Sequence, residues 1–391
     1  MFLKTIDSVH FLSAIPHKPM GHYVHLIVLR VTDSYSLFQT DGELNKARVQ
    51  AGLKETTPMT RIALFKRKQS SPERLAGRQL LRRYGLLAID CPACAGSGGF
   101  TIDRDQTTWG ITMPSEPARQ YDWKKNECQA GKGKCPEQRG RDSRSCSVVC
   151  DYNVAFCMRC PDCISYGFAI GDSGSEKSRV HVDTAYSLTP YEDSHDTFTL
   201  NAPFEDGTMS RAGETTSRIN SQDHVRPQVF FPSVVTVKDP TEAMFLYVVN
   251  NVLRNKSYGA QTTRTGSMRN IILGIVFADG EIFSNLKLTQ AIYDVVKTKY
   301  TPPDPFLVED VTAAILTVVP QLLKDDGVSH PDDFFGDRLN ETLAEITAIT
   351  TDETQLRRLL AQAYQETNTY ASQWIFKVDV GPEGTRRGKK K

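Results

Sequence analysis

Nine cysteines, all between Cys91 and Cys163, are the residues best placed to do chemistry in this chain of 391. Random scatter would not confine them to so short a stretch. Zinc takes four soft donors in a tetrahedron, and C-x-x-C brings two sulfurs to one ion. Three such pairs occur: Cys91–Cys94, Cys157–Cys160 and Cys160–Cys163. Cys91, Cys94, Cys160 and Cys163 are the first ligand set this suggests. Cys157, Cys150, Cys146, Cys135 and Cys128 remain candidates, because nine sulfurs make two sets of four plus one. The blander alternative is ordinary buried cysteine. A structural ion is expected rather than a catalytic one, since the H-x-E that zinc deaminases carry before their cysteines does not occur.

A second candidate follows the cysteines. Gly171-Asp-Ser-Gly-Ser-Glu-Lys177-Ser178 has the spacing of a phosphate-binding P-loop, but Glu176 stands where its last glycine belongs. A carboxylate there would face the nucleotide phosphates. The residues after it, Val180–Leu188, read as a strand, whereas a P-loop opens a helix. Nucleotide hydrolysis is therefore rejected. Lys177, Ser178 and Arg179 remain able to hold a nucleic-acid phosphate.

Net charge is only +1, so affinity for nucleic acid must come from local patches. Between Arg61 and Arg83 stand Arg61, Lys66, Arg67, Lys68, Arg74, Arg78, Arg82 and Arg83, against the single acid Glu73. Arg254–Asn270 adds Arg254, Lys256, Arg264 and Arg269 with no acid, and Gln261–Gly266 offers further donors, Gln261 and Thr265 among them. Such clusters suit a groove that tracks a phosphate backbone. Lys66, Arg67, Lys68, Lys177, Ser178, Arg179, Gln261, Arg264, Thr265 and Arg269 are the expected contacts. Asp33 and Asp41 follow the first strand and are the candidates for a metal-assisted phosphodiester cut. Turn formation is the plainer role for both.

The elements that must position these groups follow from periodicity. His22–Val31 reads as a buried strand and Thr60–Phe65 as a short one. Ser71-Pro72 suits a helix start, and Gly85 its end. Strands are expected at Val180–Leu188, Thr197–Asn201, Val229–Val237 and Asn270–Ala278, with helices from Thr241 to about Leu253 and over Asn285–Lys297. Tyr166–Ile170 partly matches the aromatic strand of RNA-recognition modules. Pro203–Arg226 reads as a protruding hairpin. Helices are expected over Val308–Lys324, kinked at Pro320, over Asp337–Thr350 and over Asp352–Trp374, with Trp374–Val380 as an edge strand.

The core order is strand, helix, strand, strand, helix, strand. That is an α+β chain built on a modified ferredoxin-like, RNA-recognition-motif core with large insertions. Residues 1–90 and 164–300 would form that core, 91–163 a zinc-binding insertion, 203–226 a protruding hairpin or mobile loop, 301–380 a helical C-terminal lobe and 381–391 a disordered basic tail. No apolar run approaches the roughly 18–20 residues that cross a bilayer. Met1–Met20 holds no continuous signal core, so a cytoplasmic, reducing location is expected, which favours metal over disulfides.

Several longer segments carry a resemblance. Thr60-Arg-Ile-Ala-Leu-Phe-Lys-Arg-Lys-Gln, Cys160-Pro-Asp-Cys-Ile-Ser-Tyr-Gly-Phe-Ala-Ile-Gly, Asn201-Ala-Pro-Phe-Glu-Asp-Gly-Thr, Gln228-Val-Phe-Phe-Pro and Tyr258-Gly-Ala-Gln-Thr-Thr-Arg-Thr-Gly are of this kind. Together they resemble the backbone subunit of type I-D CRISPR Cascade complexes, in the Cas-seven superfamily, from about Tyr23 to Leu288. The resemblance implies an RNA-recognition palm, a zinc-binding insertion and a thumb. It also implies several copies stacked along a guide RNA, other Cascade subunits as partners, and a target strand of DNA, or of RNA as in related complexes. A scaffold without catalysis is the leading expectation. Its competitor is a metal-dependent nuclease using Asp33 or Asp41.

Overall fold

The computed structural model describes residues 1–40, 42–90, 147–150, 156–169, 175–200, 220–259 and 264–375, with short paired strands at 121–122, 127–128, 210–211 and 214–215. Its main sheet has five strands: β1 (Tyr23–Thr32), β2 (Val180–Val182), β3 (Phe230–Lys238), β4 (Met268–Ala278) and β5 (Asp332–Phe334). Their order across the sheet is β2-β3-β1-β4-β5, and every neighbouring pair is antiparallel. β1 is central. Val24 lies opposite Val237 on one side and Phe277 on the other.

The sheet is covered on both faces, which explains why β1 is apolar toward both of them rather than alternating, with His25 and Arg30 as its buried polar exceptions. Val24, Leu26 and Val28 point into one core, Ile27, Leu29 and Val31 into the other. The first face packs on α1 (Lys66–Arg83) and α3 (Glu242–Arg254), and on α6 (Gly336–Thr351) and α7 (Glu353–Tyr370) further along the chain. The second face packs on α4 (Asn285–Val296) and α5 (Val308–Asp326). The helices expected as a C-terminal lobe thus divide between the two faces. With both faces filled, the sheet surface itself offers no platform for stacked bases.

α1 begins at Lys66, five residues before the expected Ser71, and Pro72 lies inside it. No side chain caps its start; the Gln69 amide instead donates to Leu64 O and Asp183 O, both at 2.8 Å. α1 approaches α3 very closely at Gly77, where an added Cβ would lie 2.4 Å from the Tyr247 hydroxyl and from the Asn251 amide. Only glycine allows that approach without displacing them.

Other boundaries differ as well. Val180–Leu188 is not one strand: β2 ends at Val182, and Ala185–Tyr186 turns away to pair with Pro58–Leu64 in a separate three-stranded sheet that includes Lys46–Gln50. The second edge strand is β5, which the sequence pattern did not suggest because its Asp332 and Asp333 are poor strand formers. The chain at Ala371–Ile375 stays helical, so Trp374 starts no strand, and 376–380 lies outside the described residues. His195–Leu200 pairs with Asn220–Val225 as an antiparallel stem, which roots the segment read as a protruding hairpin.

Arg30, the one charge inside β1, faces α1 and is fully buried. Its guanidinium meets Glu73 at 2.6 Å and also donates to Ser233 Oγ. Tyr258 donates to the same Glu73 oxygen at 2.8 Å, and Asn270 donates to the Tyr258 hydroxyl at 2.8 Å. Removing one partner of such a pair strands a buried charge. Glu73→Ala should lower unfolding stability by about 3–5 kcal/mol in a denaturant titration. A loss below about 1 kcal/mol, the range of an exposed pair, contradicts this role.

Candidate metal centre and basic cleft

Cys160 is the N-cap of α2 (Pro161–Tyr166), and its sulfur accepts from Cys163 N–H at 3.4 Å. Pro161 occupies the first helical position, where its missing N–H costs nothing. Two residues before that cap the chain makes a tight knuckle, with Met158 at φ +58°. Two N–H groups, of Arg159 at 3.4 Å and Cys160 at 3.2 Å, point at Cys157 Sγ. Cys150 arrives from the Ser147–Val149 strand, which pairs with Ala88–Asp90, and accepts from Cys157 N–H at 3.3 Å.

The four sulfurs of Cys150, Cys157, Cys160 and Cys163 all lie within 4.8 Å of one another and are buried. Cys150–Cys163 is 3.6 Å and Cys157–Cys163 is 3.9 Å. A tetrahedron with metal–sulfur bonds of about 2.3 Å has edges of about 3.8 Å. The donor set therefore fits one thiophilic ion. Among the described residues, Cys160 and Cys163 of the first expected set stand together with Cys157 and Cys150, two of the further candidates. Cys91, Cys94, Cys135 and Cys146 lie outside the described residues, and the side chain of Cys128 is not described. Hydrogen bonds from the other three thiols, aided by the charge of Arg78, hold Cys150 far below the usual thiol range. Burial pushes Cys160 and Cys163 up. Four buried sulfurs in such conflict are the arrangement that a bound cation relieves.

Asp162, inside the last C-x-x-C, ties this knot to α1. It has no exposure and lies 2.8 Å from Arg74 Nε and 2.8 Å from Arg78 Nη1. Burial raises its carboxyl pKa, and both guanidiniums oppose that rise. Arg78 also reaches Cys150, with Nη1 3.4 Å from the sulfur and Nη2 donating to the carbonyl at 2.6 Å.

The basic stretch of α1 therefore splits by helical face. Arg74 and Arg78 face inward and are structural. Arg61 is also buried, donating to the carbonyls of Leu188 and Ala51 at 2.6 Å. These three belong to the basic stretch but not to the expected contacts, and most of their partners come from segments distant in sequence. Lys66 and Arg67 are exposed, and Lys68 is half-buried. Lys66 lies 3.6 Å from Asp183.

Lys66 and Lys177 line one open cleft of about 410 Å³. Lys66, Ser70, Ser71 and Arg74 of α1 form one wall; Tyr166, Lys177, Ser178 and β2 form the other. The spacing of 66, 70 and 74 is one helical face. Ser70, Ser71 and His181 do not stand out from sequence as cleft residues, although that i, i+4 spacing carries the signal for the helix wall.

The remaining expected contacts separate. Ser178 donates to Val180 O at 2.7 Å, and Arg179 is buried, near Glu176 at 3.4 Å and 5.0 Å from the centre of the Tyr370 ring. Arg179 is thus tied into the core, where its guanidinium also donates to Pro16 O at 3.2 Å. Thr265 Oγ1 donates to Tyr258 O at 2.7 Å and accepts from Leu37 N–H at 3.1 Å, so it too is structural. Arg264 is exposed. Arg269 lies 3.3 Å from Asp33 in an exposed pair. Gln261 and Asp41 lie outside the described residues. Tyr166 and Phe168 are buried; the first ends α2 and the second pairs with Glu176, so neither stands on the main sheet.

The fold is shared with a CRISPR protein. The chain is similar to the crystal structure of Thermofilum pendens Csc2, at a TM-score of 0.52 and 14% identity, covering 95% of this chain and 96% of that one. Looser likenesses are to chains of a CRISPR RNA-guided surveillance complex (TM-score 0.41, 10% identity, 87% of this chain and 99% of that one) and of such a complex in a pre-nicking state (0.43, 12%, 80% and 90%). No curated protein matches the chain. The Csc2 CRISPR family model matches residues 10–360, and the chain belongs to that family.

Titration of the metal-free protein with Co²⁺ should give thiolate charge-transfer absorption, and Cys150→Ser should weaken it strongly. Full retention of the band in Cys150→Ser would show that a different set of sulfurs holds the ion.

Proposed function

We propose that this chain is the guide-RNA-binding backbone subunit of a type I-D Cascade. Membership of the Csc2 CRISPR family supports this, and the observation that carries it is the cleft between α1 and β2 that Lys66 and Lys177 both line. Guide sequences vary, so a backbone protein must hold sugar and phosphate while base pairing reads the target strand. Two flexible ammonium groups beside serine hydroxyls suit that role, because they hold charge without reading bases. Exposed Arg67 and Arg264 extend the same sign of charge.

In this reading the antiparallel β2-β3-β1-β4 sheet with α1 and α3 is a ferredoxin-like palm. The cysteine quartet holds a structural zinc, which fixes the chain entering α2 and leaves no open coordination position for catalysis. The stem His195–Leu200 with Asn220–Val225 roots the thumb. Successive copies associate head to tail along the guide, a heterologous contact that builds a filament rather than a closed ring. The partners are guide RNA, target DNA, further copies and other Cascade subunits, in the cytoplasm.

The nuclease alternative loses its support. Among the described residues, the cysteine quartet is the only group of three or more side chains able to hold a metal; Asp33 lies beside Arg269, and Asp41 is outside those residues.

Binding of single-stranded guide RNA should weaken in Lys66→Ala and in Arg264→Ala, each lowering the log–log salt slope by about 0.7. An unchanged slope in both variants contradicts the proposed phosphate contacts.

A further inference from the structure

Gly167 stands where the metal centre and the basic cleft meet. α2 opens on Cys160 and Cys163, and Gly167 ends it at φ +74°. A Cβ at this position would lie 2.5 Å from Glu176 O and 2.7 Å from Ser178 N, both of them backbone atoms. The two chain segments therefore touch with no room for a methyl group. One hydrogen bond fastens the crossing, and a second ties it to α1. Arg179 N–H donates to Ser165 O at 2.8 Å, and Arg74 Nη2 donates to Gly167 O at 2.8 Å. Lys177 lies inside the fastened stretch, with its side chain in the cleft.

The other end of α2 is held as firmly. Asp162 binds Arg74 and Arg78, and Arg78 continues to the Cys150 sulfur. A helix of six residues has no stability of its own. Its position comes from what grips its two ends. One end carries two of the four sulfurs; the other presses on the backbone of Lys177.

We propose that the metal centre is a positioning element for the RNA cleft: through α2 and Gly167 it sets where Lys177 stands. This rests on the reading of the cleft as an RNA-backbone site. It adds that the ion does more than stabilise the fold. Gly167 and Asp162 are positioning residues, acting through Lys177 and touching no RNA themselves.

The test uses the full chain and single-stranded polyuridine RNA. Gly167→Ala should keep its metal content by elemental analysis. It should weaken RNA binding and lower the salt slope by about 0.7, as Lys177→Ala does. The double variant should bind no worse than either single one. Arg264→Ala, on a separate loop, should add in full to Gly167→Ala. Chelation of the wild-type metal should reproduce the Lys177→Ala affinity, and chelation of Lys177→Ala should change nothing further. If Gly167→Ala does not fold, the chelation comparison alone decides. Additive effects, or wild-type binding by metal-loaded Gly167→Ala while Lys177→Ala is weakened, overturn the coupling and leave the RNA reading standing. Failure of the wild-type chain to bind polyuridine overturns the RNA reading, and the coupling with it.

Discussion

A carboxylate shut away from water sits between two guanidiniums of one helix, and the arrangement of this protein depends on it. Asp162 belongs to the cysteine knot; Arg74 and Arg78 belong to α1. A buried acid needs counter-charge at close range, and two arginines on one face of a helix supply it. The cysteine quartet and the helix layer on the main sheet are thereby fixed to each other through a buried contact.

α1 then serves three environments at once. One face carries Glu73, which neutralises Arg30 from the central strand. A second carries Arg74 and Arg78 toward the cysteines. A third carries Lys66, Ser70 and Ser71 to the cleft wall. Periodicity sets Glu73 apart, while along the 66–70–74–78 row the roles change from cleft wall to Asp162 contact, Arg74 serving both. The main sheet, sealed on both faces, leaves such edges and loops as the surfaces available to nucleic acid.

Much of this is legible in the residues. Continuous apolar strands and well-capped helices lie close to their expected places, because β1, β3, β4, α3 and α4 obey local rules of burial and capping. Thr241 and Ser284 cap their helices through N–H bonds at 3.2 Å. The C-x-x-C spacing announces a metal site, and Lys66 and Lys177 are candidates on sequence that the fold brings to one cleft. What stays hidden depends on distant partners. Nothing near Arg74 or Arg78 reveals that each will be buried, because the carboxylate that they share lies far along the chain. Cys150 pairs with no cysteine at two-residue spacing, so its place in the quartet comes from tertiary structure. α1 starts early because Gln69 satisfies carbonyls of neighbouring segments rather than through a recognisable cap.

The central claim is that the cleft between α1 and β2 receives the RNA backbone. Ultraviolet cross-linking of the chain on single-stranded guide RNA, followed by mass spectrometry of the linked peptides, tests it most directly. The account predicts cross-linked peptides that contain Lys66–Ser71 and Lys177–Val182. Cross-links confined to other surfaces, such as α5 or α6, would contradict it.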